Sequence, residues 1–341
     1  MIRDCLAKLV QGDHLTREEA YRLMKRMMEG TVSPPQMAGL LTALRMKGET
    51  VAELTGLAEG MRDQMTTVSL RVPGAVDTCG TGGDGGKTFN ISTGAAIVAA
   101  AAGVPVAKHG NRAVSGRSGS ADVLEVLGIR IQVSPEEAKM ALEQVGICFL
   151  FAPLFHRGMK RVMPTRRELG FRTCFNLLGP LVNPAGVKRQ LMGVFDPALT
   201  ETAARVLLAL GAERALVVSG LDGIDEISIS GPTRVSEVKE GQVITYTVTP
   251  EQLGMEPAPP EAVSGGDPRT NARMLRQILR GEQGPRRDVV LINAGAVLYL
   301  AGRAKSMAEG VRRAADAVDS GKAADKLAEM IRFSRGAGYV S

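Results

Sequence analysis

The sequence predicts an α/β protein that consists of a small all-helical domain and a larger domain whose mixed, mainly parallel sheet is flanked by helices. Residues 1 to about 70 show only helical periodicity and helix caps. From Ala75 onward, short apolar runs typical of strands alternate with helical stretches, which is the pattern of a sheet wrapped by helices. The 341 residues are enough for two domains.

The N-terminal region contains three capping boxes, in which Ser or Thr at a helix start is followed three residues later by Glu or Gln. The pairs are Thr16 with Glu19, Ser33 with Gln36, and Thr50 with Glu53. Apolar residues recur behind the caps at helical spacing, as in Leu54, Leu57 and Met61. We therefore predict helices only in this region.

The second region contains six apolar runs of strand length. They cover residues 104–107, 129–133, 147–151, 191–195, 215–218 and 289–292. Residues 235–249 alternate well enough for a hairpin around Glu240-Gly241. The Pro- and Gly-rich residues 250–268 predict an exposed loop. Asp267-Pro268 then opens a helix through about Leu279, and two further helices are expected to close the chain.

Residues 77–120 contain a glycine-rich loop that leads into a helix. Gly80, Gly82, Gly83, Gly85 and Gly86 occur here among Thr81, Asp84 and Lys87. Such a run lets backbone N–H groups turn inward and form an anion nest. The small apolar residues 94–103 predict a buried helix, with Asn90, Ser92 or Thr93 as its N-cap. The N-terminal end of this helix would favour a phosphate, although a tight turn without a ligand is the alternative.

Two further features have a possible chemical role. Asp225-Glu226, in a loop with Asp222, could supply the few carboxylates that Mg²⁺ prefers, or could be a solvated turn. Arg166 lies in the basic, helical residues 157–180, which we expect Pro164 to interrupt. Its guanidinium suits a carboxylate, although a solvated helix face is the alternative.

Histidine is the side chain that most readily acts as a base near neutral pH. His109 is the only one of the three histidines in the candidate site, where it could be a general base or, more commonly, a positioning group. The sequence leaves the role of His156 undecided.

Composition narrows the classes of function. The formal net charge of +6 and the pI near 9.2 suit anionic partners, without choosing between a phosphorylated metabolite and nucleic acid. The four cysteines lack C-x-x-C pairing, which argues against a zinc site or a disulfide framework and favours a reducing cytoplasm. We expect no signal peptide and no membrane span, because no apolar stretch is long enough.

Six segments resemble the anthranilate phosphoribosyltransferase family in the same order along the chain. They read CGTGGD, NIST, KHGNRAVSGRSGSADVLEVLG, FLFAPLFH, RRELGFRTCFNLLGPLVNPA and LDGIDEIS. The resemblance implies a fold like that of nucleoside phosphorylases and phosphoribosyltransferases. It places the helical domain at residues 1–70 with a return segment near 165–190, and the α/β domain at 75–164 and 191–341. It also implies transfer of a phosphoribosyl group from its diphosphate to anthranilate, with Mg²⁺ and a homodimer formed through the helical domain.

The same resemblance assigns site residues. Those expected to contact phosphoribosyl diphosphate are Gly80, Gly83, Asp84, Thr88, Asn90, Ile91, Ser92, Thr93, Lys108, His109, Gly110, Asn111, Arg112, Ala113, Val114, Ser115, Gly116 and Ser120. Gly80, Asn111 and Arg166 would contact anthranilate, with His109 and Pro153 on the wall of its tunnel. Asp225, Glu226 and Ser92 would bind magnesium. No residue is certain to act covalently or as a base; Lys108, His109 and Arg166 are expected to position the substrates.

Two other functions remain compatible with the sequence. A nucleoside phosphorylase would share the fold and the glycine-rich loop, but such chains usually have an additional C-terminal domain. A nucleic-acid binder would use the cations of residues 157–172, but the absence of Trp and an aromatic content of 4% leave few stacking platforms. Departures from the family pattern at Gly116, Arg157-Gly158 and Ser219-Gly220 leave the fine selectivity for the acceptor open.

Overall fold

The computed structural model describes residues 1–82, 87–113 and 116–337. Its N-terminal region is a bundle of four helices, α1 (Ile2–Val10), α2 (Arg17–Glu29), α3 (Pro34–Lys47) and α4 (Val51–Arg62). The predicted capping boxes at Thr16 and Thr50 form: each Thr accepts the N–H of the Glu three residues later at 3.2 Å. The Glu in the first turn of α4 does more than cap. Glu53 is fully buried, accepts the Leu15 N–H at 2.9 Å and pairs with Lys47 at 2.9 Å.

A seven-stranded sheet forms the second region. Its strands are β1 (Val76–Gly80), β2 (Val106–Gly110), β3 (Ile147–Phe151), β4 (Arg189–Gly193), β5 (Arg214–Gly220), β6 (Thr233–Lys239) and β7 (Gln242–Val248). They lie in the order β3-β2-β1-β4-β5-β6-β7, and the first five are parallel. The hairpin β6–β7 is antiparallel, so the prediction of a mixed, mainly parallel sheet is confirmed.

Eleven further α-helices are present among the described residues. They are α5 (Ile91–Ala101), α6 (Ser120–Leu127), α7 (Pro135–Val145), α8 (Ala152–Phe155), α9 (Met159–Leu169), α10 (Phe175–Leu181), α11 (Leu199–Ala209), α12 (Pro268–Leu279), α13 (Pro285–Leu300), α14 (Met307–Asp319) and α15 (Lys322–Arg332). Short 3₁₀ turns at Glu251–Leu253 and Pro260–Val263 and a final π turn at Phe333–Ala337 complete the chain. Helices α5 and α13 are buried on nearly all sides, in the main core beside the sheet.

Helices α9 and α10 pack against the N-terminal bundle. Val162 of α9 and Leu178 of α10 share one apolar core with side chains of α2, α3 and α4. The Arg62 guanidinium at the end of α4 donates to the Leu181 carbonyl at 2.7 Å. Arg161 of α9 likewise donates to a carbonyl in the last turn of α2 at 2.5 Å. The bundle is thus joined to a segment more than a hundred residues away in sequence.

Several predicted elements were wrong or displaced. Residues 289–292 are the middle of helix α13, and residues 129–133 form no strand. Strand β1 was not predicted, and the run predicted at 104–107 is strand β2, which extends to Gly110 and so includes Lys108 and His109. Pro164 lies inside α9 and does not interrupt it; the helix ends at Leu169, and the following Gly170 has the left-handed conformation. Three α-helices rather than two follow α12.

The predicted hairpin is confirmed. Glu240 and Gly241, between β6 and β7, have φ angles of 53° and 75°, as a two-residue type I′ turn requires. The helix predicted to begin at Asp267-Pro268 is α12, and the Asp267 carboxylate accepts the Thr270 N–H at 2.7 Å. Within the described part of the chain, none of the helices combines the length and apolarity needed to cross a membrane.

Candidate active site

Asp225 lies against the carboxyl ends of two neighbouring strands, β1 and β4. Its Oδ2 accepts the N–H of Gly82 at 2.8 Å. A Cβ on Gly193, the last residue of β4, would lie 1.6 Å from the main-chain oxygen of Asp225. A Cβ on Gly80, the last residue of β1, would lie 2.6 Å from Asp225 Oδ2. Only glycine therefore leaves room for the Asp225 loop at both strand ends.

Glu226 and Lys108 meet at the N-terminal end of α5. The N–H of Ser92 donates to Glu226 Oε1 at 3.1 Å. The Lys108 ammonium donates to Ser92 Oγ at 3.2 Å and to the Thr78 carbonyl at 2.5 Å. Burial lowers the pKa of Lys108, and the carboxylate of Asp77 opposes that shift. A cation, a carboxylate and a helix N-terminus converge here, which is an arrangement suited to an anion accompanied by a metal ion.

Side chains replace part of the backbone ladder between β1 and β2. These strands share one register pair, whereas β2 and β3 share five. Beyond that pair, the N–H of His109 donates to Asp77 Oδ1 at 3.0 Å, and Lys108 bonds the carbonyl of Thr78 on β1. Asp77 is fully buried, and burial raises its pKa to about 6. A carboxyl group and an ammonium group therefore hold the two strands together beside the site.

Asp122 organises the loop that follows β2. Its Oδ2 accepts the N–H groups of Ala113 and Gly119, both at 2.9 Å. The guanidinium of Arg112 pairs with Asp122 at 3.0 Å and with Glu125 at 2.6 Å. Because exposed ion pairs contribute at most about 1 kcal/mol, a phosphate can compete for this guanidinium.

The structure gathers most of the predicted donor-binding residues at the ends of β1 and β2 and at the starts of α5 and α6. Thr88 forms an isolated bridge with Ser264, and Asn90 is the N-cap residue of α5. Ile91 and Thr93 are buried at the start of α5, so Ile91 can offer a ligand only its main chain. Gly110, Asn111, Ala113, Gly116 and Ser120 lie at the end of β2, in the loop and at the start of α6. Gly83, Asp84, Val114 and Ser115 were also predicted and lie outside the described residues.

His156 joins His109 in one buried pair. The ring centroids are 5.1 Å apart, and each residue is 5% exposed. Burial lowers the pKa of His109 well below its ordinary value, with a further lowering from His156. Burial also lowers the pKa of His156 to about 4. Both rings are neutral at pH 7, and a base of such low pKa is weak, which favours the positioning role for His109.

The histidine pair predicts that the fold loses stability in acid. A ring whose pKa is about 4 in the folded state and near 6.5 in the unfolded state stabilises fully above pH 6.5 and progressively less as the pH falls. For His156 the loss between pH 6.5 and 5 is about 2 kcal/mol. Asp77 has the opposite effect on stability. Because its pKa is raised to about 6 in the folded state, the folded state gains stability relative to the unfolded state as the pH falls below 6.

We therefore expect a His156→Phe variant to lose less unfolding free energy than the wild type between pH 7.5 and 5. Urea denaturation at several pH values measures this difference. Equal losses in the two proteins would show that the ring is protonated in the folded state.

Arg166 does not lie on a solvated helix face. Its guanidinium stacks 5.2 Å from the centroid of the Phe175 ring and reaches Asn176 Oδ1 at 3.5 Å. The side chain is partly buried, and burial lowers its pKa. Pro153, also predicted in the acceptor tunnel, is exposed on α8 and follows β3 by two residues. In the described contacts, Arg166 thus has no carboxylate partner. Its positive charge is therefore available to an anionic acceptor.

The site has donors suited to magnesium. Asp225 and Glu226 are 7% and 8% exposed, and the Ser92 hydroxyl lies beside the N–H that Glu226 accepts. Within residues 1–82, 87–113 and 116–337 no three His, Cys, Asp or Glu side chains cluster as a metal site. Mg²⁺ binds through few carboxylates and completes its octahedron with waters and substrate phosphate oxygens. An all-oxygen pair beside a phosphate-binding helix end fits that preference.

Sequence reasoning missed several residues that shape the site, among them Asp77, Gln190 and Gly193. The Gln190 amide, buried on β4, donates to the Pro180 carbonyl at 2.6 Å and lies 3.4 Å from Asp77. A charged residue within an apolar run was a usable signal for Asp77. No sequence signal marked Gly193, because glycine is required there only by the loop of Asp225, which lies about thirty residues further along the chain.

Two family models match the chain. The glycosyl transferase family helical bundle domain matches residues 3–65, and the glycosyl transferase family a/b domain matches residues 72–324. Anthranilate phosphoribosyltransferase from Pelotomaculum thermopropionicum is 53% identical over 334 residues, which cover 98% of this chain and 97% of that protein.

Solved structures show the same similarity. Anthranilate phosphoribosyltransferase from Thermus thermophilus superimposes with a TM-score of 0.92 at 46% identity and covers 97% of this chain and 99% of its own. The Saccharomyces cerevisiae enzyme in complex with PRPP and Mg has a TM-score of 0.90 at 27% identity, with 98% of each chain covered. Its complex with 4-fluoroanthranilate has a TM-score of 0.88, with the same identity and coverage. The chain described here belongs to the anthranilate phosphoribosyltransferase family, the pentosyltransferases of tryptophan biosynthesis.

Proposed function

We propose that this chain transfers the phosphoribosyl group of 5-phosphoribosyl 1-diphosphate to the amino group of anthranilate, giving N-(5-phosphoribosyl)anthranilate and pyrophosphate. The observation that supports this most strongly is the convergence of Lys108, Glu226 and the N-terminus of α5 at the strand ends. This is where open parallel sheets bind ligands. The family to which the chain belongs and the PRPP complex of the yeast enzyme support the same reaction.

Catalysis on this proposal depends on orientation and charge. The arylamine nitrogen bonds to the ribose carbon as the bond to diphosphate breaks, and the nitrogen then releases one proton to solvent, so no covalent nucleophile is needed. Lys108 and the positive end of the α5 dipole neutralise the departing diphosphate, and their fixed positions avoid reorganisation during the reaction. Asp77 holds the backbone of the adjacent His109 and so steadies the end of β2.

Magnesium belongs to the same proposal. Asp225, Glu226 and the Ser92 hydroxyl would hold the ion beside the diphosphate. When bound, Mg²⁺ neutralises charge on the phosphate oxygens of the leaving group. The yeast relative in complex with PRPP and Mg supports this assignment.

Arg166 is the proposed partner of the anthranilate carboxylate, with Gly80 and Asn111 as further contacts and Pro153 and His109 on the tunnel wall. The ring of Phe175 and the amide of Asn176 hold the guanidinium in place. Arginine pairs with a carboxylate through two parallel hydrogen bonds, so the partly buried side chain fixes both position and orientation.

The test is the loss of anthranilate fluorescence on mixing the protein with phosphoribosyl diphosphate, with and without Mg²⁺. We expect a loss that requires both the donor and the metal ion. Arg166→Ala should raise the KM for anthranilate at least about tenfold, since a charge-assisted pair contributes about 1.5–3 kcal/mol. Arg167→Ala, one residue away on the exposed side of α9, is the matched control and should retain wild-type kinetics.

Other outcomes would change the assignment. No fluorescence loss from folded protein would contradict the proposed acceptor. Phosphorolysis of a pyrimidine nucleoside would indicate a phosphorylase instead. A gel shift that weakens steeply with salt would favour nucleic acid as the partner.

Domain boundaries and assembly are part of the proposal. We place residues 1–70 and a return segment near 165–190 in the helical domain, supported by the core that α9 and α10 share with the bundle. A homodimer through this domain is supported by Val10 on α1 and Met46 on α3, which are 72% and 83% exposed. Light scattering that shows a monomer at working concentration would contradict the dimer. The cytoplasmic location stays a prediction from the sequence.

A further inference from the structure

Asn271, on the first turns of α12, connects two loops that are distant in sequence. It is 1% exposed, and its Nδ2 donates to Asn90 Oδ1 at 3.0 Å. Its own Oδ1 accepts the N–H of Gly266 at 2.8 Å. Asn90 in turn accepts the Ser118 hydroxyl and donates to the Ser118 carbonyl, each at 3.1 Å. Four groups from three separate segments therefore form one continuous chain of hydrogen bonds.

The groups at the two ends of this series of hydrogen bonds determine which atom donates and which accepts at each step. The Gly266 N–H can only donate, so the oxygen of the Asn271 amide must face it. The nitrogen of Asn271 then faces Asn90, whose oxygen must accept. The nitrogen of Asn90 is left to donate to the Ser118 carbonyl, which can only accept. Asn271 and the Ser118 carbonyl thus together fix the orientation of the Asn90 side chain.

The segment before α12 also contacts the exit of the glycine-rich loop. The N–H of Gly265 donates to the Lys87 carbonyl at 2.9 Å, and Thr88 forms a bridge with Ser264. A Cβ on Gly265 would lie 2.4 Å from the main-chain oxygen of Thr88. Such close backbone contact brings the start of α12 directly against residues 87–89.

We infer that Asn271 is a positioning residue for the phosphoribosyl donor: acting through Asn90, it holds the loop of Ser118 against the N-terminal end of α5. The inference rests on the proposed function and deepens it, because Asn90 is among the predicted donor contacts. Asn271 itself does not touch the donor. Its role is to keep the segment at Asn90 and the loop of Ser118 in their binding geometry before phosphoribosyl diphosphate arrives. This reduces the ordering cost of binding.

The test uses Asn271→Asp in the full-length chain. This variant keeps an acceptor for the Gly266 N–H but replaces the donor to Asn90 with an oxygen. We expect the KM for phosphoribosyl diphosphate to rise about tenfold or more and the KM for anthranilate to stay within about twofold. Calorimetric titration with the donor and Mg²⁺, without anthranilate, should show the same weakening.

A core variant on the same helix provides the control. Ile278→Ala removes a buried side chain two turns further along α12. It should lower the melting temperature and leave the KM for the donor unchanged. If Ile278→Ala raises that KM as much as Asn271→Asp does, loss of stability explains the effect and the positioning role is excluded.

A double-mutant cycle tests whether the effect passes through Asn90. When Asn271→Asp is added to Asn90→Ala, the KM for phosphoribosyl diphosphate should rise by less than about twofold, because the hydrogen bond that it removes is already absent. Independent, additive costs would overturn the inference. Should Asn271→Asp not fold, Asn271→Ser removes the amide N–H that Asn90 accepts and adds no charge, and the same comparisons apply.

The outcomes separate this inference from the proposed function. A wild-type protein that neither binds nor uses the donor would overturn both. An active wild type whose donor KM is unaffected by Asn271→Asp or Asn271→Ser would overturn the positioning role alone.

Discussion

Asp225→Asn combined with Glu226→Gln is expected to lower turnover at limiting Mg²⁺ by at least about 100-fold. The two amides keep the shape of the loop but remove both negative charges at the ends of β1 and β4. Without them the site loses the ligands proposed for magnesium, and the diphosphate must leave with less of its charge neutralised. Steady-state kinetics over a range of magnesium concentrations measures the effect, and part of the loss should recover as magnesium is raised.

The control for this double variant is Asp222→Asn. Asp222 lies in the same loop and accepts the Ser228 hydroxyl at 2.6 Å, so its role is to shape the loop. An asparagine oxygen can accept the same hydrogen bond, and turnover should stay within about threefold of the wild type. Unchanged magnesium dependence in the double variant would remove the metal assignment from Asp225 and Glu226.

Gly193→Ala is expected to be nearly as damaging, although the change is a single methyl group. The new Cβ would lie 1.6 Å from the main-chain oxygen of Asp225 and 2.6 Å from its carbonyl carbon. Backbone atoms cannot rotate away, so the loop that contains both carboxylates must move. We expect a loss of about 2–4 kcal/mol in unfolding free energy and at least about a 100-fold loss of turnover.

Denaturant unfolding and steady-state kinetics together measure the Gly193 effect. The matched control is Gly231→Ala, because no atom lies within 4 Å of the Cβ position there and the residue follows the same loop. Wild-type turnover in Gly193→Ala would show that the Asp225 loop is not held against β4 as described.

The comparison between sequence and structure is clearest at the helices. The capping boxes at Thr16 and Thr50 were predictable because both partners of each hydrogen bond lie within one turn. The same locality made the Glu240-Gly241 turn predictable. In contrast, residues 289–292 are an apolar run inside α13, a helix buried on nearly all sides. Periodicity cannot distinguish such a helix from a buried strand.

Strand predictions failed where pairing decides the outcome. Residues 129–133 alternate as a strand does, and Ile129 and Ile131 are buried, yet no neighbouring strand pairs with them. Strand β1 was overlooked because Asp77 and Thr78 break its apolar pattern. Both are fully buried: the Asp77 carboxylate accepts the N–H of His109 on β2, and the main-chain carbonyl of Thr78 accepts the Lys108 ammonium. Whether a segment forms a strand depends on pairing with other parts of the chain, which its own sequence does not specify.

The sequence by itself determined the helical first region, the alternation of strands and helices, the glycine-rich loop and the Asp225-Glu226 pair, since each is a pattern of adjacent residues. Only the tertiary structure decided that His156 pairs with His109, that Gly193 makes room for Asp225, and that Asn271 donates a hydrogen bond to Asn90. The physical reason is that hydrogen bonds and steric contacts depend on distances of a few ångströms. Residues far apart in the chain reach such distances only when the whole domain has folded.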